Sequence, residues 1–129
     1  MEPKDVVMAF WQAMASNDFH AASLHLTEDY WCYWPQSSEL IRGRANFAGV
    51  NTNYPAHGLW QFDVKRLVAD GASVVTEVHI TDSVLKATAI SFHSVRDGLI
   101  ASQTEYWPDP TEPPFDRSQW VEHATSAPE

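Results

Sequence analysis

The chain is predicted to fold as an α+β domain: a curved antiparallel sheet wrapped, cone-like, around helices that come first in the sequence. Three observations predict it. Apolar residues recur at helical spacing up to about Asn53. From Leu59 onward they alternate at strand spacing. Two Asp-Gly pairs, Asp70-Gly71 and Asp97-Gly98, punctuate that second half as hairpin turns. A length of 129 residues suits a single core. Residues 1–123 are expected to form one domain, with 124–129 a loose C-terminal tail.

Each element has its own signal. Pro3 suits a first helical position, and Lys4–Ala15 follows as a helix with Val7, Phe10, Trp11 and Met14 in one stripe. Asn17-Asp18 breaks and caps, and a short second helix spans about Asp18–His25. Thr27–Asp29 reads as a polar connector and Tyr30–Trp34 as an aromatic strand stopped by Pro35. Gln36–Leu40 reads as a loop, Ala45–Asn53 as a third helix, and Asn51–Gly58 as a turn or lid. Four strands then follow as a meander: Leu59–Ala69, Ser73–Asp82, Val84–Arg96 and Leu99–Trp107. After a Pro-rich stretch, Phe115–His123 is expected to dock as a last helical turn.

Composition narrows the function. A formal charge of −9 with eight Lys and Arg argues against nucleic acid and against an anionic membrane surface. No apolar run approaches the ~20 residues of a membrane span, and the first residues lack a signal-peptide pattern. A cytoplasmic location is the simplest expectation. Cys32 is the single cysteine and reads as a small buried hydrophobe between Trp31 and Tyr33. The six His show no close-spaced pair, and there is no Gly-rich phosphate loop, so neither metal nor cofactor is expected. The final strand, LIASQTEYW, stands out. Strict alternation puts Leu99, Ala101, Gln103, Glu105 and Trp107 on one face and Ile100, Ser102, Thr104 and Tyr106 on the other. Both faces carry apolar residues, so Glu105 is expected to be a buried carboxylate, which needs partners or a raised pKa.

The element order, the two "DG" hairpins, the "G-R" opening of the third helix and the ending GLIASQTEYWPDP…RSQWVE resemble the nuclear transport factor two-like (cystatin-like) fold, specifically its SnoaL-like branch. The resemblance covers nearly the whole chain. It implies a cone-shaped sheet with a pocket at its open end, in a superfamily that includes ketosteroid isomerases, polyketide cyclases, epoxide hydrolases, dehydratases and plain binding domains. By the same resemblance Glu105 occupies the place of a last-strand catalytic aspartate of epoxide hydrolases. Val78 and Ile80 stand where those enzymes keep an Arg and an Asp. Tyr33-Trp34 precede Pro35 where ketosteroid isomerases keep a general base, and Ser91 falls where they keep a protonated Asp. The standard relays of both enzyme types are therefore largely absent.

Within that frame Glu105 and His93 are the candidate catalytic pair. Register about Asp97-Gly98 places Ser91 near Thr104 or, with a one-residue bulge, near Glu105 or Gln103. Leu85, Ala87, Ala89, Ser91 and His93 share one face, whose small residues leave room for a ligand. A carboxylate beside an imidazole suits general acid–base work. Candidate ligand-binding residues are Tyr33, Trp31, Trp11, Val78, Ser91, Gln103, Trp107 and Tyr54; Tyr54 and His57 lie in a loop that could gate the open end. Glu77 and His79 belong to the outer face.

Three readings follow. The first is a small hydrophobic molecule bound and turned over by cofactor-free acid–base chemistry, of the isomerase, dehydratase or cyclase type. The second is a non-catalytic binding protein. The third is an assembly subunit. A homodimer through the sheet is expected in each, because Ile100, Ile90 and Phe92 read as an apolar sheet face.

Overall fold

The computed structural model describes residues 1–128; Glu129, the end of the expected tail, lies outside the described residues. The chain runs α1 (Pro3–Ala15), α2 (Phe19–Ser23), β1 (Leu26–Trp34), β2 (Glu39–Arg42), α3 (Gly43–Thr52), β3 (Gln61–Asp70), β4 (Ser73–Thr81), β5 (Lys86–Arg96) and β6 (Leu99–Tyr106). Six strands form one open, curved sheet in the order β2-β1-β6-β5-β4-β3. The three helices cover its concave face, so the fold is α+β as the sequence predicts.

Local chemistry explains the helices. Pro3 opens α1, whose buried stripe is Val6, Val7, Phe10, Trp11 and Met14. Asn17 then turns with a positive φ of 63°, and Asp18 caps α2 by accepting from the Ala21 N–H at 3.0 Å. The Asn17 amide also clasps the backbone of Trp60, giving one 2.8 Å bond to its carbonyl and accepting another of 2.8 Å from its N–H. That clasp fixes where β3 begins relative to α1.

Two of the sequence-based boundaries change. Thr27–Asp29 is not a connector but part of β1, and residues 39–42, in and beyond the expected loop, form β2, paired antiparallel with β1. One strand pair is parallel: β1 runs alongside β6, with Cys32 opposite Gln103 and Tyr33 opposite Thr104. The expected final turn forms at residues 117–121, where the Trp120 and Val121 N–H groups donate to the Arg117 carbonyl, but it does not dock. Phe115, Trp120 and Val121 are exposed, and prolines at 108, 110, 113 and 114 keep the approach extended and short of donors.

The β5–β6 hairpin carries the most consequential correction. Asp97 and Gly98 both take positive φ, 54° and 77°, the geometry of a two-residue turn whose twist matches its strands. Beyond it the register slips between Ser94 and Val95: Val95 pairs Ile100, whereas Ser94 pairs Ser102. Ala101 is the extra residue of a bulge, and it flips the parity of the strand behind it. Ile100 therefore does not lie on the outer face. It is fully buried with Gln103 and Glu105 on the concave side. The same slip sets Ser91 directly opposite Glu105.

The outer face carries a different apolar row. Registers align Leu40, Tyr33, Thr104, Phe92, Val75 and Val68 across all six strands. Leu40, Tyr33, Phe92 and Val68 in that row are exposed, as are Trp31 and Tyr106 beside it.

The parity flip is testable. Ile100→Ala is expected to cost about 2–5 kcal/mol in urea unfolding, as for a truncated core side chain. A change within about 0.5 kcal/mol, the range for an ordinary surface site, would put Ile100 outside.

Candidate functional site

Between the helices and the concave face lies a cavity of about 640 Å³. Its walls are predominantly apolar. Phe10 and Trp11 come from α1, Phe47 from α3, Trp34 from β1, Phe62 from β3, and Phe19, Tyr54, Trp60 and Trp107 from α2 or the connections. Strand alternation selects these residues. On β1 the buried positions are Tyr30 and Cys32, and Trp34 continues their side.

Glu105 lies at the wall where β1, β6 and β5 adjoin. It is 7% exposed, and both carboxylate oxygens accept hydrogen bonds. Ser91 Oγ donates to Oε2 at 2.5 Å from β5, and Trp34 Nε1 donates to Oε1 at 3.0 Å from β1. Burial raises the Glu105 pKa above the ordinary carboxylate range, and the two donors offset part of that rise. Among the described residues, no Lys, Arg or His pairs with it. Burial likewise raises the Tyr30 hydroxyl and the Cys32 thiol, so both stay neutral near pH 7. Two residues along β6, Gln103 also lines the cavity; its Oε1 accepts from the Tyr30 hydroxyl at 3.0 Å, which leaves its amide N–H groups for the cavity side.

The structure brings together only part of the expected constellation. Glu105, Gln103, Trp11, Trp107 and Tyr54 line the cavity. His93 does not meet Glu105, because it faces Gln103 in the register while Glu105 faces Ser91. His93 instead packs against Phe10 and Trp11, 3% exposed and off the cavity lining. Ser91 is fully buried and bonds Glu105 without lining the cavity, and Val78 is likewise core. Trp31 and Tyr33 do not line it at all: alternation from Cys32 sends both to the outer face, where they are 38% and 40% exposed. The sequence reading missed Trp34, the residue on that strand that does reach Glu105. The signal was available, since a buried Cys32 fixes the parity of its neighbours. His57 is tied by its N–H (2.7 Å) and its Nδ1 (3.0 Å) to the buried carboxylate of Asp82, which joins its loop to the β4–β5 turn beside the cavity mouth. Those bonds, first that from the His57 N–H, hold Asp82 well below the usual carboxylate range.

A second polar chain crosses the core. Trp11 Nε1 donates to Thr76 Oγ1 at 3.3 Å, and the Thr76 hydroxyl lies 2.8 Å from His93 Nε2. Thr76 thus bridges the indole and the imidazole, and which of Thr76 and Nε2 donates is set by the ring tautomer. Nδ1 is buried and has no partner among the described residues. Burial lowers the His93 pKa to about 3, so the ring is neutral near pH 7.

Among the described residues, no three His, Cys, Asp or Glu converge as a metal site, and no helix is long and apolar enough to cross a membrane. Residues 7–103 match the SnoaL-like domain family, and the chain belongs to that family. A candidate ketosteroid isomerase from Kribbella flavida is 32% identical, with a TM-score of 0.87 over 96% of this chain and 90% of its own. A nuclear transport factor two-like protein of unknown function from Burkholderia xenovorans is 34% identical, with a TM-score of 0.76 over 95% and 94%. An epoxide hydrolase from M. tuberculosis is 24% identical with a TM-score of 0.66 over 82% of each chain, a likeness of fold alone. No protein of curated function matches.

The buried ring of His93 makes stability depend on acid. The unfolded chain takes up a proton there near the ordinary value of 6.5, whereas the folded chain refuses it until about 3. Stability from this group is therefore complete above pH 6.5 and is lost as pH falls toward 3, by up to about 1.4 kcal/mol per pH unit. Urea unfolding from pH 7 to 4 is expected to show a steeper acid loss in the wild type than in His93→Leu. Parallel curves would show that His93 is not held neutral by burial.

Proposed function

We propose that this chain binds a small, mainly apolar molecule in the aromatic cavity and that Glu105 exchanges a proton with its polar end. This is cofactor-free acid–base chemistry of the isomerase, dehydratase or cyclase type. The observation that carries the reading is Glu105 itself: an ionisable carboxylate, with a raised pKa, at the wall of an otherwise apolar cavity. A general acid–base group works best with its pKa moved toward the working pH, and burial does that here. Gln103 supports the reading by offering an amide donor on the same wall, one strand repeat from the carboxylate. A carbonyl oxygen held by that amide would leave its α-hydrogen toward Glu105. One observation favours the second reading, a non-catalytic binding protein: among the described residues, no second titratable side chain hydrogen-bonds Glu105 to relay its proton.

A homodimer through the sheet belongs to the same proposal. The row from Leu40 to Val68 spans every strand of the outer face, and large exposed apolar patches on a soluble domain mark interaction surfaces. A second copy would present the same row, which suits the self-complementary contact of a two-fold dimer.

Two measurements test these statements. Small hydrophobic carbonyl compounds that raise the melting temperature are incubated in D2O with the wild type and with Glu105→Gln. Deuterium is expected to enter the carbon next to the carbonyl in the wild type and at least about 100-fold more slowly in the variant. Equal rates would remove Glu105 from chemistry, and binding with no exchange in either protein would establish the non-catalytic reading. Sedimentation of Phe92→Glu is expected to give a monomer where the wild type gives a dimer; a monomeric wild type would overturn the dimer.

A further inference from the structure

The cavity has a charge asymmetry that the acid–base reading does not use. Glu105 is a buried carboxylate held by two neutral donors, Ser91 and Trp34, and, among the described residues, by no cation. Leaving such a charge without a counter-ion is costly in a low-dielectric site. The other acidic residues on the lining are Glu39 on β2 and Asp109 beyond β6, both exposed toward the mouth. Against them stands Lys86, exposed at the start of β5. The groups that face Glu105 from neighbouring strands, Tyr30 and Cys32, add no positive charge. The helices packed over it present aromatic rings, and ring faces attract cations. The protein as a whole carries −9, which repels anionic ligands from the mouth.

We infer that the ligand of this cavity carries a cationic nitrogen, an ammonium or iminium group, which sits against Glu105 among the aromatic rings and supplies the counter-charge the protein omits. This rests on the reading that the cavity binds a small, mainly apolar molecule, and it names the chemical class of that molecule's polar end. Each Glu105 oxygen accepts one hydrogen bond and has room for another, so an N–H group can bind without displacing Ser91 or Trp34. A quaternary nitrogen would use charge and ring faces alone. The volume of about 640 Å³ accommodates a ligand with a sizeable apolar body behind that nitrogen. Carboxylate-bearing ligands are disfavoured, because they would place a second negative charge beside Glu105.

The test uses three probes of one branched skeleton that differ in charge: benzyltrimethylammonium, 2,2-dimethyl-3-phenylpropan-1-ol and 2,2-dimethyl-3-phenylpropanoate. Calorimetric titration of the full chain at pH 8 is expected to show the cation binding at least tenfold more tightly than the alcohol, with the carboxylate weakest. Glu105→Gln is expected to abolish the advantage of the cation over the alcohol. In the wild type the affinity for the cation is expected to rise with pH as Glu105 gives up its proton, and affinity for the alcohol to stay flat. That pH series needs no variant, so it decides the matter even where Glu105→Gln fails to fold. An alcohol that binds as tightly as the cation would overturn the cationic class and leave the cavity reading standing. A cation advantage that persists in Glu105→Gln, or that does not change with pH, would also overturn it. Absence of binding by all three would overturn both.

Discussion

The hydrogen bonds to Glu105 are the interaction on which the site depends. A carboxylate cannot be buried in an apolar cone without donors, and this one receives them from both adjoining strands: Trp34 from β1 and Ser91 from β5. Each requirement reaches back into the sheet. Ser91 stands opposite Glu105 because the bulge at Ala101 slips the β5–β6 register by one residue. Trp34 reaches it because β1 runs parallel to β6, with Cys32 beside Gln103. Remove the parallel pairing and Glu105 loses Trp34; remove the bulge and it stands opposite Ile90 instead of Ser91.

The core gathers its polar groups in two places. One set runs from Tyr30 to Gln103 and, alongside it, from Trp34 through Glu105 to Ser91; it borders the cavity. The other runs from Trp11 through Thr76 to His93 and is sealed by Phe10 and Trp11. Burial pushes the titratable ends in opposite directions, Glu105 upward and His93 down to about 3. The difference is access. The carboxylate lines the cavity, whereas the imidazole is sealed in the core and its charge state bears on stability. Around the cavity mouth, Asp82 and Asn17 hold the loop and strand ends that carry Tyr54 and Trp60, so the walls are tied to the sheet and to α1.

The helices and the last four strands were legible in the sequence because their signals are local: Pro3, the α1 stripe, period-two alternation and the Asp-Gly turns. The burial of Glu105 was legible from apolar residues on both faces of LIASQTEYW. Its partners were not, because they depend on register. One bulge residue, Ala101, decides that Ile100 shares the inner face with Gln103 and Glu105, and that Glu105 stands opposite Ser91 and not Ile90. β2 was missed because its four residues pair with β1 through a tertiary contact that its own composition does not announce. Trp31 and Tyr33 were placed inside on their chemistry alone; the parity set by buried Cys32 puts them outside and Trp34 within reach of Glu105.

The central claim is that Glu105 is a buried carboxylate of raised pKa that confronts whatever fills the cavity. Carbon-13 labelling of glutamate side chains allows the Glu105 carboxyl to be titrated directly by NMR, assigned through its absence in Glu105→Gln. The account predicts a midpoint above the ordinary value of 4.5 in the free protein, and a clear displacement of that midpoint when a cavity ligand is added. A midpoint at the ordinary value, unmoved by a ligand that protects the fold, would contradict it.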